Sequence, residues 1–271
     1  MYNKDNPLRV VELFAGYGSQ RLALKRLKEI FPDFCYKVVA IAEIEPNALN
    51  AYTLMHGDCP NLGDVTEINW GGNISDFDLL TYSFPCQSIS AAGLQHGFAE
   101  GSGTRSSLLW ECKRAIIHKH PKWLLMENVK ALTQKKFMPD FQKWIDWLAS
   151  QGYVSYWQVL NAKNYGIPQN RERVFMVSIR DDGDNPMYHF PQPFALTKRL
   201  KDVLEDNVAD NYYLKPQQVD RIIAHCERKV AEGCGFKTNF TSPDGISGAI
   251  KTKEGQREYD TYVKELPPRW I

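Results

Sequence analysis

The chain has 271 residues, 43% of them hydrophobic and 24% charged. This is an ordinary globular composition, long enough for one large domain or for one domain plus a small second one. It excludes a disordered tail, a collagen-like rod and a disulfide-stapled miniprotein. The net charge of +1 argues neither for nor against a polyanionic partner, but there are 7 basic against 12 acidic residues over 1–100, 13 against 8 over 101–195 and 13 against 12 over 196–271.

The first element is Arg9-Val-Val-Glu-Leu-Phe14, a short β-branched run that stops at Ala15-Gly-Tyr-Gly-Ser19. Arg21 to Ile30 then has helical periodicity in Leu22, Leu24, Leu27 and Ile30. Strand, glycine turn and helix in this order open an α/β nucleotide-binding unit. Lys37–Ala42 predicts a second strand, ending in Glu43 and Glu45, and Pro46–Met55 a helix with proline at its start. Asp78–Tyr82, Lys122–Met126, Tyr153–Leu160 and Arg173–Ile179 predict further strands. Leu108–His118 and Phe137–Ser150 predict helices between them. Strands alternating with helices imply a mostly parallel sheet covered on both faces. Two prolines in Phe190-Pro-Gln-Pro-Phe194 mark a boundary. Residues 1–190 are expected to form one α/β domain and 191–271 a smaller, irregular appendage, with a helix over Pro216–Glu232.

Several short patterns point to chemistry. Phe14-Ala-Gly-Tyr-Gly18 lets backbone approach a ligand, but it lacks a phosphate-loop lysine and the third glycine of a dinucleotide turn. Glu43, just after the second strand, is placed to accept ribose hydroxyls or is a solvated strand end. In Gly63-Asp-Val-Thr66, Asp64 is a candidate acceptor for an adenine amino group or a turn acid. Ser83-Phe-Pro-Cys-Gln87 lies at the carboxyl end of a strand, where open α/β sheets place active sites. Cys86 there fits a nucleophile under a mobile lid over 87–103 better than a buried structural cysteine. Met126-Glu-Asn-Val129 ends the next strand and puts Glu127 and Asn128 beside Cys86. Burial would keep the Glu127 carboxyl partly protonated; the plainer alternative is a strand-ending turn. Arg171 and Arg173 are two apart and share a face of an extended chain, suited to an anion or a charged carbonyl oxygen. The basic stretch from Arg105 to Lys136 reads either as a solvated face or as a phosphate-binding rim.

Six cysteines, at 35, 59, 86, 112, 226 and 234, include no Cys-x-x-Cys pair, and His118 and His120 have no cysteine nearby. No metal is expected, and the thiols are read as free in a reducing, cytoplasmic compartment. No signal peptide or long apolar span is present.

In order, Phe-Ala-Gly-x-Gly, an acid after the second strand, Gly-Asp-x-Thr, Phe-Pro-Cys-Gln, Glu-Asn-Val and Gln-x-Arg-x-Arg closely resemble the C5-cytosine-specific DNA methyltransferases of bacteria and phages. The resemblance covers residues 8 to about 205, including Leu160-Asn-Ala-Lys-Asn-Tyr-Gly-Ile-Pro168. It implies a Rossmann-like S-adenosylmethionine-dependent methyltransferase fold: α/β, a mostly parallel sheet, helices on both faces, and a small, incomplete target-recognition region. Residues 1–190 would be the catalytic and cofactor-binding domain and 191–271 the partial recognition domain.

The implied cofactor is S-adenosyl-L-methionine, bound by Phe14, Ala15, Gly16, Tyr17, Gly18, Glu43, Ile44, Asp64, Val65, Phe84 and Pro85. The implied catalytic residues are Cys86, Glu127, Asn128, Arg171 and Arg173. Cys86 would add to cytosine C6, Glu127 would bond N3 and the exocyclic amine, Asn128 would orient the cysteine loop, Arg173 would meet O2, and Arg171 would support Cys86 or contact phosphate. Gln87, Ser88 and Ser90 would lie near double-stranded DNA from which the base has flipped. The family's C-terminal Gly-Asn-Ser/Ala-Val segment is absent, and Gly245-Ile-Ser-Gly-Ala-Ile-Lys-Thr252 is only faintly similar to the family's stretch after the target-recognition region. A second polypeptide, a truncated product or a minimal enzyme would each account for this. The competing functions are a catalytically silent DNA- or cofactor-binding subunit, a tRNA cytosine-C5 methyltransferase and, distantly, a nicotinamide dehydrogenase.

Overall fold

The computed structural model describes residues 2–89, 96–184, 187–233, 239–250, 261–265 and 269–270. The chain divides into two compact units: Met1–Val159 with Arg173–Phe190, and Leu160–Glu172 with Pro191–Ile271.

In chain order the first unit is built from β1 (Leu8–Leu13), α1 (Ser19–Ile30), β2 (Tyr36–Ala42), α2 (Pro46–His56), β3 (Leu79–Tyr82), α3 (Cys112–Lys119), β4 (Trp123–Val129) and α4 (Met138–Ser150). β5 (Tyr153–Asn161) and β6 (Glu172–Arg180) complete a sheet of order β2-β1-β3-β4-β6-β5. β1 is parallel to β2 and β3, and β3 to β4. The chain leaves β1 to one side for β2 and returns on its other side for β3. That is the switch point at whose carboxyl edge open α/β sheets bind ligands. β6 runs antiparallel to β4, and it follows its sheet neighbour β5 after the link 162–171, which is shorter than the crossover a parallel connection requires.

Alternate residues of the strands feed two faces. Val11, Leu13, Leu80, Tyr82, Leu124 and Met126 pack with Ala115 and Ile116 of α3 and Phe141, Trp144 and Leu148 of α4. Leu8, Val10 and Leu79 pack on the other face with Leu24 of α1, and Ile41 packs with Tyr52 and Leu49 of α2. Helices therefore cover both faces, as the sequence implies.

One expected helix differs. The reading of a helix from Leu108 gives way to a 3-10 turn over Arg105–Glu111, with α3 starting only at Cys112. The Thr104 hydroxyl accepts from Ser107 N–H, and the Ser107 hydroxyl donates to Thr104 O. Such local side-chain bonds compete with the α-helical ladder.

The second unit contains α5 (Pro216–Ala231) and a small sheet of β7 (Asn239–Thr241), β8 (Thr261–Glu265) and β9 (Arg269–Trp270), in the order β7-β8-β9. It is thus more regular than its glycine-rich sequence suggests. The chain crosses into it at Phe190/Pro191, where the proline pair predicts a boundary. The sequence reading groups 160–172 with residues 1–190, but this segment belongs to the second unit. Phe194 N–H donates to Asn164 O, Ser247 N–H to Pro168 O, and Asn170 N–H to Ser247 O. No helix of the described residues is long and apolar enough to cross a membrane, and no cluster among them could hold a metal ion.

Candidate active site

The carboxyl ends of β1, β2, β3 and β4 carry the sequence-predicted residues of the first unit. After β1 the backbone turns through positive φ at Phe14 (+55°), Gly16 (+56°) and Gly18 (+80°). A Cβ on Gly16 would meet nothing within 4 Å, so a ligand can come close to that backbone. At Gly18 a Cβ would lie 2.5 Å from His56 Nε2 and 2.7 Å from the Tyr52 ring. Glycine is therefore required twice there, by conformation and by space.

Tyr52 donates to the fully buried Glu12 carboxylate (2.6 Å), and Arg21 donates to the Tyr52 hydroxyl and to His56 O. Burial pushes the Glu12 carboxyl above, and His56 below, their ordinary pKa values. This polar cluster supports the turn from below.

Glu43 closes the other side. Its Oε2 accepts Gly16 N–H (2.7 Å), and its Oε1 accepts Ile44 N–H (3.0 Å) and Glu45 N–H (2.7 Å). A carboxylate offers about four acceptor positions, so one remains for an incoming hydroxyl. Asn61 clamps the same residue by bonds to its N–H and carbonyl. Ile44 is 69% exposed, an apolar surface beside the carboxylate, whereas Val65 is buried. Asp64 Oδ1 takes the N–H and hydroxyl of Thr66, so the turn-acid reading holds for that oxygen. Arg114 of α3, which the sequence did not single out, grips the carbonyls of Thr66 (2.8 Å) and Ile68 (2.5 Å) and so fixes the loop that carries Asp64 and Val65.

The loop after β3 is pinned residue by residue. Gln20 Nε2 donates to Ser83 Oγ (2.6 Å), Asn128 Nδ2 to Phe84 O (2.9 Å), the Ser106 hydroxyl to Pro85 O (2.6 Å), and Arg105 to Gln87 Oε1 (3.0 Å). Ile89 N–H donates to Cys86 O, and Ser88 N–H to Ser106 Oγ. Cys86 is half-buried at the tip, Phe84 is buried, and Gln87 is exposed. Beneath the loop, Trp144 Nε1 donates to the hydroxyl of Tyr82, and burial keeps that phenol neutral by raising its pKa steeply. Ser90 lies outside the described residues. The described part of the expected lid is anchored: Phe98 is fully buried against Phe84, and Trp110 Nε1 donates to Phe98 O.

β3 and β4 pair with Tyr82 opposite Met126, so Glu127 and Asn128 emerge beside the Cys86 loop. Asn128 is buried; besides holding Phe84, it accepts Val129 N–H at 2.8 Å. Glu127 is half-buried and forms an ion pair with Arg173 of β6 (3.1 Å). The expected neighbours therefore meet, and an arginine is the side chain beside Glu127. Arg171 belongs to the second unit, where its guanidinium donates to Ile250 O. The two arginines, two apart in sequence, thus have different partners.

Much of the basic stretch is engaged within the first unit. Lys113 pairs with Glu100 and lies over the Trp110 and Trp147 rings. Lys119 pairs with Asp76, Lys122 with Asp182 and Asp184, and Arg114 with loop carbonyls and Glu111. Gln20, Ser106, Arg105 and Arg114 have no local sequence signal, because their partners lie between 18 and 63 residues away.

A family model described as C-5 cytosine-specific DNA methylase matches residues 8–265. The chain is 40% identical over 265 residues to Type II methyltransferase M2.ScrFI of Lactococcus lactis subsp. cremoris, covering 78% of this chain and 71% of that protein. It is 32% identical over 251 residues to Type II methyltransferase M.HhaI of Haemophilus parahaemolyticus, covering 93% and 70%. In fold it is similar to the crystal structure of S. pombe Dnmt2 methyltransferase, with a TM-score of 0.70 at 20% identity over 95% of this chain and 75% of that one.

Proposed function

The chain belongs to the C-5 cytosine-specific DNA methylase family, and from that premise we propose that it methylates cytosine in double-stranded DNA through a covalent bond between Cys86 and the base. The observation that carries the mechanism is the hydrogen bond from Asn128 to Phe84 O. It ties the strand bearing Glu127 to the loop bearing Cys86, so nucleophile and carboxyl are held at one edge of the sheet.

S-adenosylmethionine is the methyl donor, and the residues present fit it. The turn at Gly16 is open to a close ligand, Glu43 keeps an acceptor position for a ribose hydroxyl, Ile44 offers an apolar surface, and Asp64 keeps a second carboxylate oxygen for an amino group. Phe14, Ala15, Tyr17, Gly18, Val65, Phe84 and Pro85 would complete its surroundings. When bound, it supplies a methyl group on a sulfonium that leaves as a neutral thioether.

The remaining chemistry belongs to side chains. The base must leave the stack, since its C5 and C6 are shielded in a duplex. The Cys86 thiolate adds to C6, and the C5–C6 π electrons move to C5, which becomes nucleophilic. Cytosine presents O2, N3 and the exocyclic amine along one edge. Arg173 would donate to O2, while Glu127 in its protonated form would donate its proton to N3 and accept from the amine with its other oxygen, opposing the negative charge that builds as sulfur adds. After C5 has gained the methyl group, loss of its proton returns electrons to the ring and expels Cys86. Asn128 holds the loop throughout. Gln87, Ser88 and Ser90 would contact the DNA. The first unit, Met1–Val159 with Arg173–Phe190, would supply the catalytic domain, and the second, Leu160–Glu172 with Pro191–Ile271, a partial recognition domain, in the cytoplasm of a bacterial or phage-infected cell.

The test is transfer of labelled methyl from S-adenosylmethionine to unmethylated duplex DNA. Label is expected on cytosine C5, with a loss of more than about 1,000-fold in Cys86→Ser and DNA binding retained. Full transfer by that variant overturns the covalent route. Adding a second polypeptide that carries a Gly-Asn-Ser/Ala-Val segment tests the two-chain reading: a rise in transfer supports it, and unchanged transfer rejects it.

A further inference from the structure

We propose that Gln20 and Ser83 form a latch that couples occupancy of the glycine turn to the position of Cys86. The inference rests on the reading above, in which the cofactor sits on that turn and Cys86 is the nucleophile. Gln20 lies in the first turn of α1, two residues after the left-handed Gly18. Both ends of its amide are used: Ser19 Oγ donates to Oε1 at 2.9 Å, and Nε2 donates to Ser83 Oγ at 2.6 Å. The amide is therefore oriented from its own side before it reaches across to Ser83.

Ser83 is the first residue after β3, three before Cys86. The chain between them has little freedom to absorb a shift. Phe84 O is held by Asn128, Pro85 has its φ fixed by its ring, and Pro85 O is held by Ser106. A displacement of Ser83 is thus carried along the loop to the sulfur.

At the other end, Gly16 offers its bare backbone to a ligand while its N–H is held by Glu43. A ligand seated there bears on the segment that continues through Gly18 into Gln20. An apolar pair at 20 and 83 would fill the same space without a fixed direction; a hydrogen bond fixes both distance and direction. Gln20 and Ser83 are positioning residues in this account, acting on the reaction only through Cys86.

The readout is the rate of Cys86 alkylation by iodoacetamide, followed on the Cys86-containing peptide by mass spectrometry, with and without S-adenosylhomocysteine. Direct shielding by the ligand contributes the same factor to every variant, so the change in the ratio of the two rates isolates the latch. In Gln20→Met and in Ser83→Ala the ratio is expected to move by about fivefold from wild type, the size of one net hydrogen bond. Ser83→Thr, which keeps the hydroxyl, is expected to keep the wild-type ratio. A purely structural role would lower the melting temperature of the variants and leave the ratio in place.

An unchanged ratio in both Gln20→Met and Ser83→Ala overturns the proposal, as does a ratio that moves equally in Ser83→Thr. Methyl transfer by wild type and Cys86→Ser is measured alongside. If transfer depends on Cys86 and the ratio does not move, the latch fails and the nucleophile stands. If Cys86→Ser still methylates, the nucleophile assignment fails, and the alkylation ratio still reports whether the two loops are coupled.

Discussion

At the amino ends of β1, β3 and β4, polar side chains pair with one another. Arg9 meets Asp78 through two side-chain bonds (2.8 and 3.0 Å) and its backbone N–H, Trp123 donates to Tyr2, and Lys122 and Arg180 converge on Asp182. At the carboxyl ends of β1 to β4, several polar side chains also hold the backbone of the loops that follow. Glu43 collects three N–H groups, while Asn128 and Ser106 hold the carbonyls of Phe84 and Pro85. The first arrangement ties strands together. The second fixes the course of loops whose remaining groups face outward, which is the preorganisation that catalysis requires. Substitutions at the carboxyl edge should therefore change activity more than stability, and those at the amino edge the reverse.

The largest effect expected from this contrast, after substitution of Cys86, the proposed nucleophile, is at Glu127. Glu127→Gln should lower kcat/KM for methyl transfer by about 100- to 10,000-fold, the range for a positioned acid–base group, with a melting temperature within a few degrees of wild type. A loss of stability without loss of turnover would put Glu127 on the structural side. Asn128 should register on both scales. It is 2% exposed and serves Phe84 O and Val129 N–H at once. Asn128→Ala should cost about 1–3 kcal/mol in denaturant unfolding, the penalty for buried groups left unpaired, together with a fall in kcat. An effect on only one of these would separate the strand anchor from the loop anchor.

Glu43→Gln keeps an acceptor oxygen but removes the charge beside three N–H donors. It should raise KM for S-adenosylmethionine about tenfold, the value of a charge-assisted bond over a neutral one, and leave kcat near wild type. A fall in kcat at unchanged KM would mean that Glu43 acts on the reacting groups and not on binding.

The same contrast explains what could be read from the sequence. Each loop at the carboxyl edge follows a short apolar strand and carries its own punctuation, as in Phe14-Ala-Gly-Tyr-Gly18 and Ser83-Phe-Pro-Cys-Gln87. The strands in chain order and the loops that follow them are therefore legible in the sequence. The residues that hold those loops are not. Gln20, Ser106, Arg105 and Arg114 are ordinary polar residues on helical turns, and only the folded sheet brings them to their partners. The basic stretch leaves two readings open for a related reason: counting charge cannot show that Lys113, Lys119 and Lys122 are each met by an acid from another segment. The assignment of 160–172 was hidden because its strands, β5 and β6, belong to one unit while the loop between them bonds to residues from the far end of the chain.

The smallest expected effect, at the amino edge, depends on pH. Burial alone would raise the Asp78 pKa, but the hydrogen bonds from the Arg9 side chain and backbone outweigh it, and the net shift is downward from the ordinary 3.8. A carboxylate depressed in the folded state binds its proton more readily when unfolded. Its contribution is therefore complete above 3.8 and disappears as pH falls through the lower, folded value. Arg9 is 43% exposed, so solvent screening limits the pair to about 1 kcal/mol or less. Asp78→Asn should lower unfolding stability by that amount at neutral pH and by progressively less below pH 3.8, with methyl transfer at neutral pH within twofold of wild type. If the deficit stayed constant down to the acid transition, the side chain would be acting through its neutral hydrogen bonds, not its charge. If methyl transfer fell more than stability did, the two edges of the sheet would not be functionally separate.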